Sequence, residues 1–143
     1  MATERLRRFG NKVVPGDLLL AEGSTLPEYA TEDSLDEPIE KIVLTMPGYG
    51  VLYPGNEIGQ LYQDILKREN VQFDKSAQEE SKAKGSYRRL ITSVGNLTYD
   101  LVPTEGVSVN ATFSFDLPKG SYATMFLREL MLKTVARDSS EYA

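Results

Sequence analysis

The stretch Leu97-Thr98-Tyr99-Asp100-Leu101-Val102-Pro103-Thr104-Glu105-Gly106-Val107-Ser108-Val109-Asn110-Ala111-Thr112-Phe113-Ser114-Phe115-Asp116-Leu117 decides the fold class. Leu97, Tyr99 and Leu101 alternate with Thr98 and Asp100. From Val107 to Leu117 apolar and polar residues alternate strictly. A period of two puts each set on one face of a strand, and Pro103 to Gly106 makes the turn between them. An antiparallel strand pair with one face on a core is therefore expected. After Pro118-Lys119-Gly120, Ser121 can cap a helix running to about Arg137. Strands followed by a helix on one sheet face place the chain in the α+β class.

Upstream, Val13 to Ala21 reads as a turn and a short buried strand, and Ile42 to Pro47 as a strand covered on both faces. Tyr49 to Gly55 is an aromatic, glycine-rich loop, and Asn56 stands where an N-cap belongs. Ile58, Leu61, Tyr62, Ile65 and Leu66 follow with helical spacing. Gly59 weakens that helix by roughly 1 kcal/mol relative to Ala. Asn70 is a reasonable stop. Lys75 to Lys84 is nearly all polar, either a solvated helix or a loop.

Composition narrows the chemistry. The 143 residues include no Cys and no His, so thiolate metal sites, disulfides, Cys nucleophiles and His-dependent triads are excluded. No Gly-rich phosphate loop and no metal-ligand spacing is present. The formal charge of -5 argues against holding nucleic acid by bulk charge. Much of it is local: seven acidic and no basic residues lie between Glu22 and Glu40, and the rest of the chain is about +2. The acidic stretch, with Pro27 and Pro38, reads as a loop. No run is long enough to span a membrane, and the first ten residues lack the apolar core of a secretory signal. The expected setting is intracellular, in nucleus or cytoplasm.

Two basic groups stand out. Lys82, Lys84, Arg88 and Arg89 surround Tyr87, the cation-plus-aromatic composition that suits RNA. Arg5, Arg7, Arg8 and Lys12 form the second. A solvated face accounts for such groups as well. Arg128 is the residue out of place: its helix neighbours three and four positions away are Thr124, Met125, Met131 and Leu132, none acidic. It either snorkels or pairs with a distant structural carboxylate, or it holds a functional anion supplied by another part of the fold.

The end of the chain, Phe115-Asp116-Leu117-Pro118-Lys119-Gly120-Ser121-Tyr122-Ala123-Thr124 followed by Leu127-Arg128-Glu129-Leu130, resembles the C-terminal signature of the tRNA pseudouridine synthase D (TruD) family. Gly16-Asp17-Leu18 resembles an early segment of that family's inserted domain. Met46 to Pro54 resembles a loop of its eukaryotic branch, and Gly85 to Ile91 the segment leading back into the catalytic fold. The four matches share the family's order. The resemblance implies that residues 1–94 belong to a mixed α/β inserted domain. Residues 95–143 would supply the strand pair and C-terminal helix of a pseudouridine-synthase-type catalytic sheet. It implies isomerisation of uridine to pseudouridine in tRNA or another structured RNA, without cofactor or metal. Arg128 would be the arginine beside the catalytic aspartate. Lys82, Lys84, Tyr87, Arg88 and Arg89, with Ser121 and Tyr122 at the helix start, would face RNA. The family's glycine-lysine-aspartate-arginine segment, which carries the nucleophile, does not occur in these 143 residues. The implied protein is thus either an enzyme whose nucleophilic Asp lies outside this chain, or a noncatalytic RNA-binding or protein-interaction remnant. An open sheet edge would also permit self-association.

Overall fold

The computed structural model describes residues 1–73, 84–104 and 106–131. The fold is α+β with antiparallel sheets and a C-terminal helix. Two compact units divide it, Met1–Ile91 and Thr92–Ala143.

The first unit is built on strand β3, Ile42–Met46. It lies between β1 (Leu18–Leu19) and β4 (Ser86–Arg89), with β2 (Glu28–Tyr29) outermost, in the order β2-β1-β3-β4. All pairings are antiparallel. Ile42, Val43, Leu44 and Thr45 are all buried, so the strand is covered on both faces, as Val43 between Ile42 and Leu44 predicts. On one face Ile42 packs with Val13 and Ala30, and Leu44 with Ile58 and Tyr62. Those last two belong to helix α2, Glu57–Arg68. On the other face the hydroxyl of Thr45 donates to the Leu52 carbonyl (2.6 Å), and Leu52 N–H donates to the Tyr87 hydroxyl (2.7 Å). The aromatic loop is therefore strapped across the sheet.

Asn56 caps α2 as expected, its side chain accepting from Ile58 N–H at 3.1 Å. Gly59 proves to be a requirement rather than a weakness. A Cβ there would sit 1.7 Å from the Pro54 carbonyl oxygen, so only glycine lets the helix close onto the loop. Helix α1, Ala2–Phe9, adds Met1 and Phe9 to the cluster around Tyr62.

The acidic stretch departs from the expected plain loop. Glu28–Tyr29 pairs with β1, Ala30 is buried against Ile42, and Glu32–Ser34 forms a 3-10 turn. Tyr29 and Ala30 have the side chains to do this; the surrounding carboxylates stay in water and conceal them in a charge count.

In the second unit β5 (Gly95–Pro103) pairs with β6 (Val109–Asp116). The register sets Tyr99 against Phe113 and Leu101 against Ala111, all on the face the alternation predicts. That face is not a core among the described residues. Helix α3, Ala123–Met131, reaches it where Phe126 meets Phe115, ring centroids 4.6 Å apart. Tyr99, Leu101 and Val109 remain 68%, 53% and 55% exposed. Alternation reports which residues share a face; what covers that face is a tertiary matter. The helix opens at Ala123, so the flanking position belongs to Tyr122 and not to Ser121. Its expected extension to Arg137 lies outside the described residues, as do Lys82 and most of the Lys75 to Lys84 stretch.

Candidate functional site

The first unit buries one ion pair. Arg5 and Asp17 are 0% and 2% exposed, and the guanidinium grips the carboxylate through two bonds, Nε to Oδ1 at 2.9 Å and Nη2 to Oδ2 at 2.6 Å. Nη1 and Nη2 also donate to the carbonyls of Gly10 and Lys12, and the cation lies 5.1 Å from the Phe9 ring centroid. Asp17 accepts further from Val14 N–H (3.0 Å) and the Asn56 side chain (3.1 Å). Both oxygens are occupied, so this carboxylate is a fastening between α1, the Val14–Asp17 turn and the α2 cap, not a nucleophile. Gly16, at φ +81°, permits the turn; its backbone lies so close to Gly55 and Asn56 that a Cβ would come within 2.9 Å.

The N-terminal basic group is accordingly engaged with protein. Arg7 and Arg8 both pair with Glu4, and Arg8 also with Glu57. The hydrogen bonds from Arg7 and then Arg8 hold the Glu4 carboxyl below the usual range.

On β4 the expected RNA-facing residues split. The Tyr87 hydroxyl holds Leu52, and the Arg89 guanidinium donates to the Glu40 carbonyl at 2.6 Å, tying β4 to the chain entering β3. Lys84 bridges to Tyr49 through the backbone, and the side chains of Lys84 and Arg88 face solvent. Tyr62 donates to the Thr45 carbonyl at 2.7 Å, and burial pushes its pKa up to about 12, with Tyr53 adding to the shift. Burial also raises Tyr53, the neighbouring Tyr87 adds to this, and the Gly48 backbone offsets part. Both tyrosines stay neutral, Tyr62 as a donor to β3 and Tyr53 as a wall, rather than as bases.

In the second unit the expectation that Arg128 lacks a local partner is corrected. It lies 3.4 Å from Glu129 Oε1, and its side chain is 40% exposed. An exposed adjacent pair at that distance contributes little, so the guanidinium remains able to meet another anion. Ser121 N–H donates to the Pro118 carbonyl, and Tyr122 is exposed at the mouth of α3. Among the described residues no acidic or sulfur-nitrogen cluster could hold a metal ion, and no helix is long and apolar enough to cross a membrane. The Arg5–Asp17 pair escaped spacing analysis because its partners are twelve residues apart and meet only through the turn.

Residues 1–130 match the tRNA pseudouridine synthase D (TruD) family. The chain belongs to the TruD family. It is 28% identical over 159 residues to the pseudouridylate synthase 7 homolog of Mus musculus, covering 92% of this chain and 24% of that protein. It is 32% identical over 152 residues to the pseudouridylate synthase PUS7L of Homo sapiens, covering 89% and 22%. It is also 32% identical over 124 residues to the probable tRNA pseudouridine synthase D of Pyrobaculum islandicum, covering 85% and 27%. The chain thus spans about a quarter of the length of the curated relatives it matches.

Proposed function

We propose that this TruD-family chain is the part of an RNA pseudouridine synthase that carries Arg128, and that the whole protein isomerises uridine in tRNA or another structured RNA. The observation that carries this reading is the family match over residues 1–130, with the Phe115-to-Leu130 signature folded as a strand, a turn and a helix. In the proposed reaction the target uridine leaves its stack. An aspartate outside these residues attacks the nucleoside and the N-glycosidic bond breaks. The same base is rejoined to the ribose through carbon as the aspartate is released, the carbon loses its proton and the freed ring nitrogen gains one. Substrate and product are isomers, so the step needs no oxidant and no cofactor. Arg128 beside the aspartate would keep it ionised and oriented. Arg88, exposed on β4, and Lys84, exposed just before it, together with Lys82, suit phosphate contacts. Tyr87 and Arg89 would act mainly by holding that strand, and Ser121 and Tyr122 would flank RNA at the start of α3. Residues 1–94 would form part of the inserted domain and residues 95–143 part of the catalytic one. An open sheet edge would also permit self-association of the isolated chain, and the protein would work in nucleus or cytoplasm.

The test is Arg128→Met in the full-length protein. Its volume and helix propensity are close to the original, so the melting temperature should hold. Single-turnover conversion of uridine in a tRNA transcript should fall about a hundredfold or more, with RNA affinity little changed. A stable variant with a near-normal rate would remove Arg128 from the active site. A full-length parent protein that binds RNA without converting it would favour a noncatalytic role.

A further inference from the structure

A pocket of about 480 Å³ opens in the first unit between the aromatic loop and α2. Tyr49, Val51 and Tyr53 line it from the loop, Gln63 and Lys67 from the helix, and Phe73 from the chain beyond. Its volume falls within the roughly 300–1,000 Å³ of sites that enclose small ligands. The loop that forms it is held in advance. Thr45 and Tyr87 fasten Leu52 from both sides, Gly59 brings α2 against Pro54, and Tyr53 is braced edge-on by Tyr62 at 5.3 Å and 60°. Tyr62 is itself anchored to β3. The aromatic wall therefore needs little reorganisation to receive a flat ligand.

The lining has a definite chemical sense. Tyr49, Tyr53 and Phe73 make the lining aromatic, and Gln63 offers an amide donor and acceptor. Lys67 brings a positive charge, and among the described residues the lining holds no carboxylate. Aromatic rings beside a cation suit a nucleobase and its phosphate. We infer that this pocket takes an unpaired nucleotide of the RNA other than the uridine being isomerised, an inference that rests on the RNA substrate proposed above. The pocket would then read the fold of the RNA, by requiring a nucleotide free to leave its stack, rather than its sequence.

The experiment is an NMR titration of the 143-residue chain with single-stranded hexauridylate and hexaadenylate, repeated on Lys67→Gln and Phe73→Ala. Resonances of Tyr49, Gln63 and Phe73 should shift with both oligonucleotides. Phe73→Ala should weaken binding by about five- to a hundredfold. Lys67→Gln, an exposed change that leaves the core intact, should reduce the slope of log affinity against log salt by about 0.7. Binding that is unchanged in both variants, or shifts confined to other surfaces, would overturn the pocket while leaving the isomerase reading standing. So would the absence of any binding, because the isomerase reading is decided separately by turnover of the full-length protein.

Discussion

Four donors converge on the carboxylate of Asp17: Arg5 Nε, Arg5 Nη2, Val14 N–H and the Asn56 amide. Replacing Asp17 with Asn keeps the shape but leaves the Arg5 guanidinium buried without its counter-charge, and such breakage costs about 3–5 kcal/mol. The denaturant midpoint of Asp17→Asn should fall accordingly, and a loss below about 1 kcal/mol would mean that water reaches the pair. Tyr62 makes a pH-dependent prediction. Its pKa rises from 10 to about 12 in the folded state. Below pH 10 both states keep the proton and stability is whole. Between pH 10 and 12 the unfolded chain ionises first, so stability should fall across that window, by about 1–2 kcal/mol after solvent screening. Chemical denaturation at pH 9 and pH 11 should show a steeper alkaline loss in the parent than in Tyr62→Phe; equal losses would assign the effect to other groups. The two arginines carry a lesson of their own. The sequence marked Arg128 as awkward and Arg5 as one of a solvated group, yet Arg5 is the one fully buried. Spacing along a helix reveals partners three and four residues away and is blind to a partner brought by a turn.

Helix α2 is where an element-scale rule reverses sign. Propensity alone says that Gly59→Ala should stabilise by about 1 kcal/mol. The Pro54 carbonyl stands where the new methyl would go, so the helix or the loop must move. The expected outcome is a loss of about 1–3 kcal/mol, read from thermal unfolding. An unchanged or raised melting temperature would show that the contact relaxes freely. The start of α2 was legible because Asn56 and the apolar spacing are local signals. The close approach of Gly59 was not, since it depends on a loop that the periodicity does not describe. Strand β2 was hidden for a related reason: two residues suffice to extend an existing edge, and no local pattern of two residues is distinctive.

Across the whole molecule the two units differ in how they are held. The first has a central strand buried on both faces, whereas the hairpin of the second exposes Tyr99, Leu101 and Val109. A two-stranded hairpin is marginal in water by itself, and α3 meets this one where Phe126 touches Phe115. Amide exchange should therefore be slower by about tenfold or more in β3 and α2 than in β5 and β6. Equal protection would mean that the hairpin is covered in solution, for which sedimentation would reveal self-association. From the residues alone came the α+β class, the parity and pairing of β5 with β6, the cap and face of α2, and the family resemblance. All of these depend on neighbours in the chain or on residue identity in order. Only the tertiary structure decided that Arg5 closes on Asp17, that Gly59 admits Pro54 and that the aromatic loop forms a pocket wall. It alone also left Tyr99, Leu101 and Val109 exposed among the described residues. Those outcomes turn on which distant segments meet, and periodicity along one strand or helix carries no information about what lies across from it.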